Sequence, residues 1–303
     1  MNAPKQCVIL NPHAGTAAQI ENSLELLGPH TLLQTKQAGD ATRFARRAID
    51  EGYTRVIAAG GDGTLNEVVN GLAADFNRAE LGLIPLGTAN DFARSADIPA
   101  DIAKAVDLLK SGQSRPLDVV KLTIGEPPTV RYFLNVSAGG FSTIVDEKLD
   151  KASKERWGTL SYAWSAVKAL PELQPYRVRV AFDSESPEAF VAYNIVVANA
   201  RYVGGNIPVA PRARLDDGLL DVLLFHAVPL SRLVTLVPKA VVGQHSEDDD
   251  VLYRQARRIE LTSEPHLDMN ADGEVVGATP AVYEVMPQAL SVIVGPEYDA
   301  VIE

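Results

Sequence analysis

Cysteine is almost absent from this sequence: Cys7, inside an apolar run, is the only one. A single thiol cannot form an intrachain disulfide or supply a cysteine-based zinc cage. The five histidines, His13, His30, His226, His245 and His266, are scattered without zinc-type spacing. Positive charge is scarce too. Lys and Arg number 28 against 39 Asp and Glu, a net charge of −11. Affinity for nucleic-acid backbones comes from clustered basic residues, so nucleic acid is not an expected partner. Adsorption to anionic lipid by overall charge is disfavoured as well, and membrane contact would have to be local.

Long hydrophobic runs are missing. The strongest candidate, 219–243, is broken by Asp221, Pro229, Arg232, Pro238 and Lys239, whereas a bilayer span takes roughly 20 nearly uninterrupted apolar residues. The first six residues are polar and lack the apolar core of a signal peptide. The expectation is a soluble, cytoplasmic chain. Composition is that of a globular protein, 46% hydrophobic and 22% charged, with no low-complexity stretch. Disordered and fibrous classes are thereby excluded. At 303 residues the chain suits two domains better than one core.

The first third alternates strand and helix patterns. Apolar runs at 7–10, 31–33, 55–59 and 81–84 each precede a turn. Helical stretches are expected from the Asn11-Pro12 turn to about Leu27, from Ala41 to Glu51 with Asp40 as its cap, and through Leu65, Val68, Val69 and Leu72. This reads as a parallel sheet covered on both faces. Beyond about Lys121 the texture becomes β-rich. Strand-like runs lie at 132–136, 177–182, 191–199, 219–225, 258–262, 282–285 and 289–294, with helices at 143–170 and 230–242. The expected boundaries are 1–123 for an α/β domain, with 290–303 able to complete it, and 124–289 for a β-sandwich-like domain.

Ala59-Gly60-Gly61-Asp62-Gly63-Thr64-Leu65-Asn66-Glu67 follows a buried strand and opens a helix. Glycines allow backbone N–H groups close to a phosphate, and a helix N-terminus favours an anion. Asp62 would repel a bare phosphate unless a divalent cation lay between them; the plainer alternative is a glycine turn. No Gly-Lys pair exists in the chain, which removes the P-loop, and Asn66 stands where a Rossmann fingerprint needs glycine. A second loop, Pro85-Leu86-Gly87-Thr88-Ala89-Asn90-Asp91-Phe92, has the same strand-to-helix setting. In an open parallel sheet such loops share one rim, where Asn11-Pro12-His13-Ala14-Gly15 and Thr35 would also lie.

These segments resemble the diacylglycerol kinase catalytic domain. The resemblance continues through Asn135-Val-Ser-Ala-Gly-Gly-Phe141, Ala198-Asn-Ala-Arg-Tyr-Val-Gly-Gly205, Ala210-Pro-Arg-Ala-Arg-Leu-Asp-Asp-Gly218 and Asp272-Gly-Glu274. It covers nearly the whole chain and is similar to the bacterial soluble, YegS-like lipid kinases. The Gly-Gly-Asp-Gly-Thr loop alone also resembles NAD kinases and phosphofructokinases, and the second-domain motifs separate this chain from those. The resemblance implies a three-layer α/β nucleotide-binding domain followed by a β-sandwich-like domain, with the active site in the cleft between them.

It also implies residue roles. Asn11, Thr35, Gly60, Gly61, Asp62, Gly63, Thr64, Leu65, Asn66 and Thr88 would hold ATP. Asp62 and Asp91 would serve catalysis, and Asp118 matches an acidic position of the metal centre. Asp217 with the carbonyls of Arg214 and Leu219 matches a structural metal site, and Glu274 the general base. ATP and Mg²⁺ would be required, and a lipid such as diacylglycerol would accept the phosphoryl group during transient contact at the inner membrane face. One departure is Met269-Asn270-Ala271, where relatives often carry a more apolar strand.

Other residue-level readings stay beside these. Asp268, Asn270, Asp272 and Gly273 fit positions of an EF-hand loop, but Thr279 stands at position twelve without the required carboxylate, so calcium is not expected. An acidic hairpin turn is the simpler account of Asp272 to Glu274. Leu230, Leu233, Val234, Val237 and Val241 make a helical apolar stripe that reads first as core and second as a membrane-docking face. His245 and 247–250 read as a solvated loop. Rival functions are a kinase of this fold acting on a soluble alcohol and a catalytically silent nucleotide- or lipid-binding protein.

Overall fold

The computed structural model describes residues 4–140 and 173–298. The helix expected at 143–170 lies outside them. The chain forms two compact units, one of 1–119 with 287–303 and one of 120–286.

In the first unit, strands β1 (Gln6–Leu10), β2 (Thr31–Gln34), β3 (Arg55–Gly60) and β4 (Glu80–Pro85) are parallel, in the order β2-β1-β3-β4. β1, β3 and β4 are almost continuously apolar and buried, as a sheet covered on both faces demands. Helices are α1 (Glu21–Glu25), α2 (Asp40–Asp50), α3 (Asp62–Leu72), α4 (Asp91–Ser95) and α5 (Ile102–Ser111). Leu65, Val68, Val69 and Leu72 recur at helical spacing and are all buried along α3. Val8, Leu10, Ile57, Ile84, Val106 and Leu109 belong to one core layer.

Two expectations fail here. The long first helix is only a 3-10 turn, Ala17–Gln19, and the short α1. Asp40 does not cap α2: Gly39 is the N-cap, and the Asp40 carboxylate turns back to accept N–H of Lys36 at 2.9 Å and Gln37 at 3.3 Å.

β5 (Ser114–Ile124) begins in the first unit and continues into the second. The second unit contains β6 (Thr129–Phe133), β7 (Val136–Gly140), β8 (Tyr176–Phe182), β9 (Glu188–Ala198), the short pair β10 (Tyr202–Val203) and β11 (Ile207–Pro208), and β12 (Leu220–His226). After α6 (Leu230–Val241) come β13 (Val251–Ala256), β14 (Arg258–Glu264), β15 (Asp268–Ala271), β16 (Glu274–Ala278) and β17 (Ala281–Ile293). β17 is one strand where the sequence suggested two. It pairs with β14 from Ala281 to Glu284, and Val292 pairs parallel with Leu81 in the first unit's sheet.

β9 carries this antiparallel assembly. It pairs with β8 through its first half, with β7 through its second half, and with β12 from Ala192 to Ala198. Alternation along β12 then sorts residues to two cores. Leu220, Val222 and Leu224 join Val178, Ile195 and Leu261, whereas Leu223 joins Leu233 and Leu236 of α6. Leu233 of the apolar stripe is therefore core.

The solvated-loop reading of His245 is overturned. Its ring is fully buried, stacks on Phe225 at 5.6 Å, and has Nε2 2.8 Å from the Val209 carbonyl. Asp248 and Asp250 are paired with Arg232, and Asp248 also with Lys239.

Candidate active site

The strand order of the first unit decides where a ligand can sit. The chain leaves β1 toward β2 on one side, then crosses to β3 and β4 on the other. The loops after β1 and β3 diverge at this switch point, which opens a crevice at the carboxyl edge. Asn11 and Thr64 span it, with Nδ2 of Asn11 donating to Oγ1 of Thr64 at 3.3 Å.

The β4 loop is bound to both neighbours. Thr16 N–H donates to the Leu86 carbonyl at 3.1 Å, and Leu86 N–H donates to the Gly60 carbonyl at 2.9 Å. Asn90, at φ +51°, accepts from Gly87 N–H through Oδ1 and returns a bond through Nδ2 at 2.7 Å. Gly61 and Gly87 meet backbone to backbone: a Cβ on Gly87 would lie 2.6 Å from the Gly61 Cα. The contact requires glycine at 87 and leaves only tight room for a side chain at 61. Thr88 is exposed, and Thr35 is buried with its N–H on the Leu10 carbonyl at 2.9 Å.

The acids have distinct settings. Asp62 begins α3, and its Oδ1 accepts the Phe92 N–H at 3.3 Å. Burial pushes its pKa up, while N–H groups of Phe92, Asp91 and Asn90 oppose the shift. Asp91 begins α4. Asp118 is fully buried in β5 and accepts the Gln288 N–H at 2.7 Å.

In the second unit Glu274 is exposed at the start of β16, paired with Ala271 across a two-residue turn. Asp272 at φ +48° and Gly273 at φ +85° form that turn, the geometry for which Asp-Gly is suited. The Asp272 carboxylate also accepts N–H of Leu134, Asn135 and Val136 at 3.4, 3.1 and 3.2 Å. The acidic-hairpin reading is thus correct for the backbone, and the same hairpin fixes where Glu274 emerges.

Comparison with known proteins brings both halves together. The diacylglycerol kinase catalytic domain matches residues 5–122, and the YegS C-terminal NAD kinase beta sandwich-like domain matches residues 135–294. A diacylglycerol kinase of Bacillus subtilis (strain 168) is 33% identical over 299 residues, covering 96% of each chain. One from Staphylococcus aureus (strain Newman) is 37% identical over 249 residues, 82% of this chain and 76% of that relative. The chain belongs to the diacylglycerol kinase family.

Solved structures agree with this family fold. A diacylglycerol kinase from Bacillus anthracis str. Sterne superimposes over 100% of both chains, with a TM-score of 0.76 and 26% identity. A candidate diacylglycerol kinase from the same strain gives a TM-score of 0.82 at 27% identity, over 99% of this chain and 97% of that one.

For a metal in this family member, the 214–221 segment offers the better fit. Asp217 Oδ1 accepts the Leu219 N–H at 3.0 Å, and burial raises the Asp217 pKa. Asp221 is fully buried, with Oδ1 bonded by Tyr253 Oη and Oδ2 lacking a partner. Burial and then the Asp217 charge push Asp221 up to about 7. Carboxylates so placed, one with a buried oxygen lacking a partner, have the chemistry of ligands for a hard divalent cation. Among the described residues, 214–221 included, no group of three or more His, Cys, Asp or Glu able to hold a metal is found. A cation near Asp62, Asp91 or Asp118 would need phosphate oxygens or water as further ligands.

Sequence reading missed the parts played by Glu67, Asp221 and Asp272. Each acts on backbone or a buried neighbour distant in sequence, which no local pattern records. Among the described residues no helix is long and apolar enough to cross a membrane.

Proposed function

We propose that this chain transfers the terminal phosphoryl group of ATP, with Mg²⁺, to a hydroxyl of a lipid acceptor such as diacylglycerol. The observation that carries the reading is the hydrogen-bonded meeting of the β1, β3 and β4 loops at the switch point, in a chain matched along its length by proteins named diacylglycerol kinase. Backbone N–H groups of 60–66, with Asn11, Thr35 and Thr88, hold the nucleotide phosphates. Mg²⁺, when bound, neutralises charge on the phosphates. Asp62 and Asp91 act at that charged centre, and Asp118 is one of its metal-binding acids. Asp217, with the Arg214 and Leu219 carbonyls, holds a structural cation.

Glu274 takes the proton from the acceptor hydroxyl. Its exposure and hairpin support agree with a base that must meet an incoming substrate. Turnover requires one acceptor hydroxyl to reach both Glu274 and the terminal phosphate. The acceptor lipid is met by transient local docking at a membrane surface, since the −11 net charge gives no general attraction to anionic lipid.

The test is transfer of label from γ-labelled ATP to extracted membrane lipids, to purified diacylglycerol and to soluble alcohols, each with Mg²⁺ or excess chelator. Label in the lipid fraction that depends on Mg²⁺ is expected. Label only in soluble alcohols contradicts the lipid assignment, and transfer unaffected by chelator contradicts the metal requirement.

A further inference from the structure

Glu67 closes the Gly-Gly-Asp-Gly-Thr segment, yet its side chain turns away from that loop toward another element. Its Oε1 accepts the Gly39 N–H at 2.9 Å and its Oε2 the Ala41 N–H at 3.0 Å. Its own carbonyl accepts Oγ1 of Thr42 at 2.9 Å. Gly39, the N-cap of α2, has no side chain to do this work. An acid on α3 therefore caps α2, satisfying N–H groups that a helix start leaves open and placing negative charge at the positive end of the dipole.

The consequence reaches the nucleotide loops. The segment 35–41 is held from one side by Asp40 on Lys36 and Gln37, and from the other by Glu67 on Gly39 and Ala41. Thr35 is fixed to β1 through the Leu10 carbonyl. α2 and α3 also touch without slack, since a Cβ on Gly71 would lie 2.4 Å from the Thr42 carbonyl oxygen. The anion-binding end of α2 is thereby filled by an internal carboxylate.

We infer that Glu67 is a positioning residue for the nucleotide, clasping the Thr35 loop to the glycine-loop helix so that both present one preset rim. The inference rests on the ATP reading above. Glu67 does not touch the phosphates; it acts through the backbone of Gly39 and Ala41.

The test compares MgATP affinity, kcat at saturating ATP and melting temperature for wild type, Glu67→Ala, Glu67→Gln and Val106→Ala. Val106 is buried on α5 in the same unit and makes no part of the clasp. Loss of a helix cap predicts about tenfold weaker ATP binding for Glu67→Ala, with kcat within about twofold. Glu67→Gln, which keeps one acceptor, falls between Ala and wild type and serves where Ala does not fold. Val106→Ala melts earlier but binds ATP normally. Folded Glu67 variants with wild-type ATP affinity overturn the inference, as does an equal affinity loss in Val106→Ala. Wild type that fails to bind MgATP overturns the nucleotide reading itself, a separate result.

Discussion

The Asp62 carboxylate accepts the Phe92 N–H at 3.3 Å, joining the first residue of α3 to the first turn of α4. An acid held this way serves the fold without a cation, although burial keeps its pKa raised. Asp62→Asn preserves an oxygen for Phe92 while removing the charge. The variant is expected to stay folded and to lose at least about 100-fold in phosphoryl transfer, the scale of one electrostatic group in a catalytic centre. Melting curves and initial rates check this. Near-normal rates in folded Asp62→Asn would confine the residue to its structural contact.

The Gly61–Gly87 contact leaves no room for a side chain at 87 and only tight room at 61. On Gly87 a Cβ would press on the Gly61 Cα at 2.6 Å, while on Gly61 it would lie 3.2 Å from the Gly87 Cα. Gly87→Ala is expected to cost about 1–3 kcal/mol in denaturant unfolding, because backbone must move. ATP affinity should fall with it, and in Gly61→Val too. Unchanged affinity in both variants would show that the apposed loops are not the phosphate site.

Much of the fold was legible because periodicity in the first third is strong. Continuous apolar runs marked β1, β3 and β4, and the 65/68/69/72 spacing marked α3. Turn chemistry marks the loops after β1, β3 and β4, and with them the rim they share. Three strands of the second unit were not legible. β15 and β16 are short, β16 opens with two exposed residues, and β13 buries only its two end residues, leaving no alternation to read. His245 reads as solvated because its neighbours in sequence are polar, whereas its neighbours in space are Phe225 and Val209. The connections of Glu67 and Asp272 depend on chain crossings that spacing cannot reveal.

Burial lowers the His245 pKa below the ordinary value of 6.5. The folded state therefore takes up this proton less readily than the unfolded state. Stability from neutral His245 is complete above the unfolded pKa and is lost as pH falls from about 6.5 toward the lower folded pKa. Unfolding free energy measured from pH 7.5 to 5 should fall in that window, and His245→Gln should flatten the slope. Wild-type and variant slopes that coincide would exclude His245 as its source.

Glu274 gives the most direct test of the central claim. A base contributes to the transition state, so removing it should leave nucleotide binding intact while slowing transfer. Glu274→Gln keeps the size and hairpin position but has no comparable basicity. Loss of general-base catalysis is worth on the order of 10²- to 10⁴-fold in rate, or about 3–5 kcal/mol of barrier. The measurement is kcat for label transfer from ATP to diacylglycerol, with MgATP affinity, for folded wild type and Glu274→Gln. The account predicts Mg²⁺-dependent transfer by wild type and a kcat reduced over that range in the variant at unchanged affinity. A variant with near-normal kcat would contradict it.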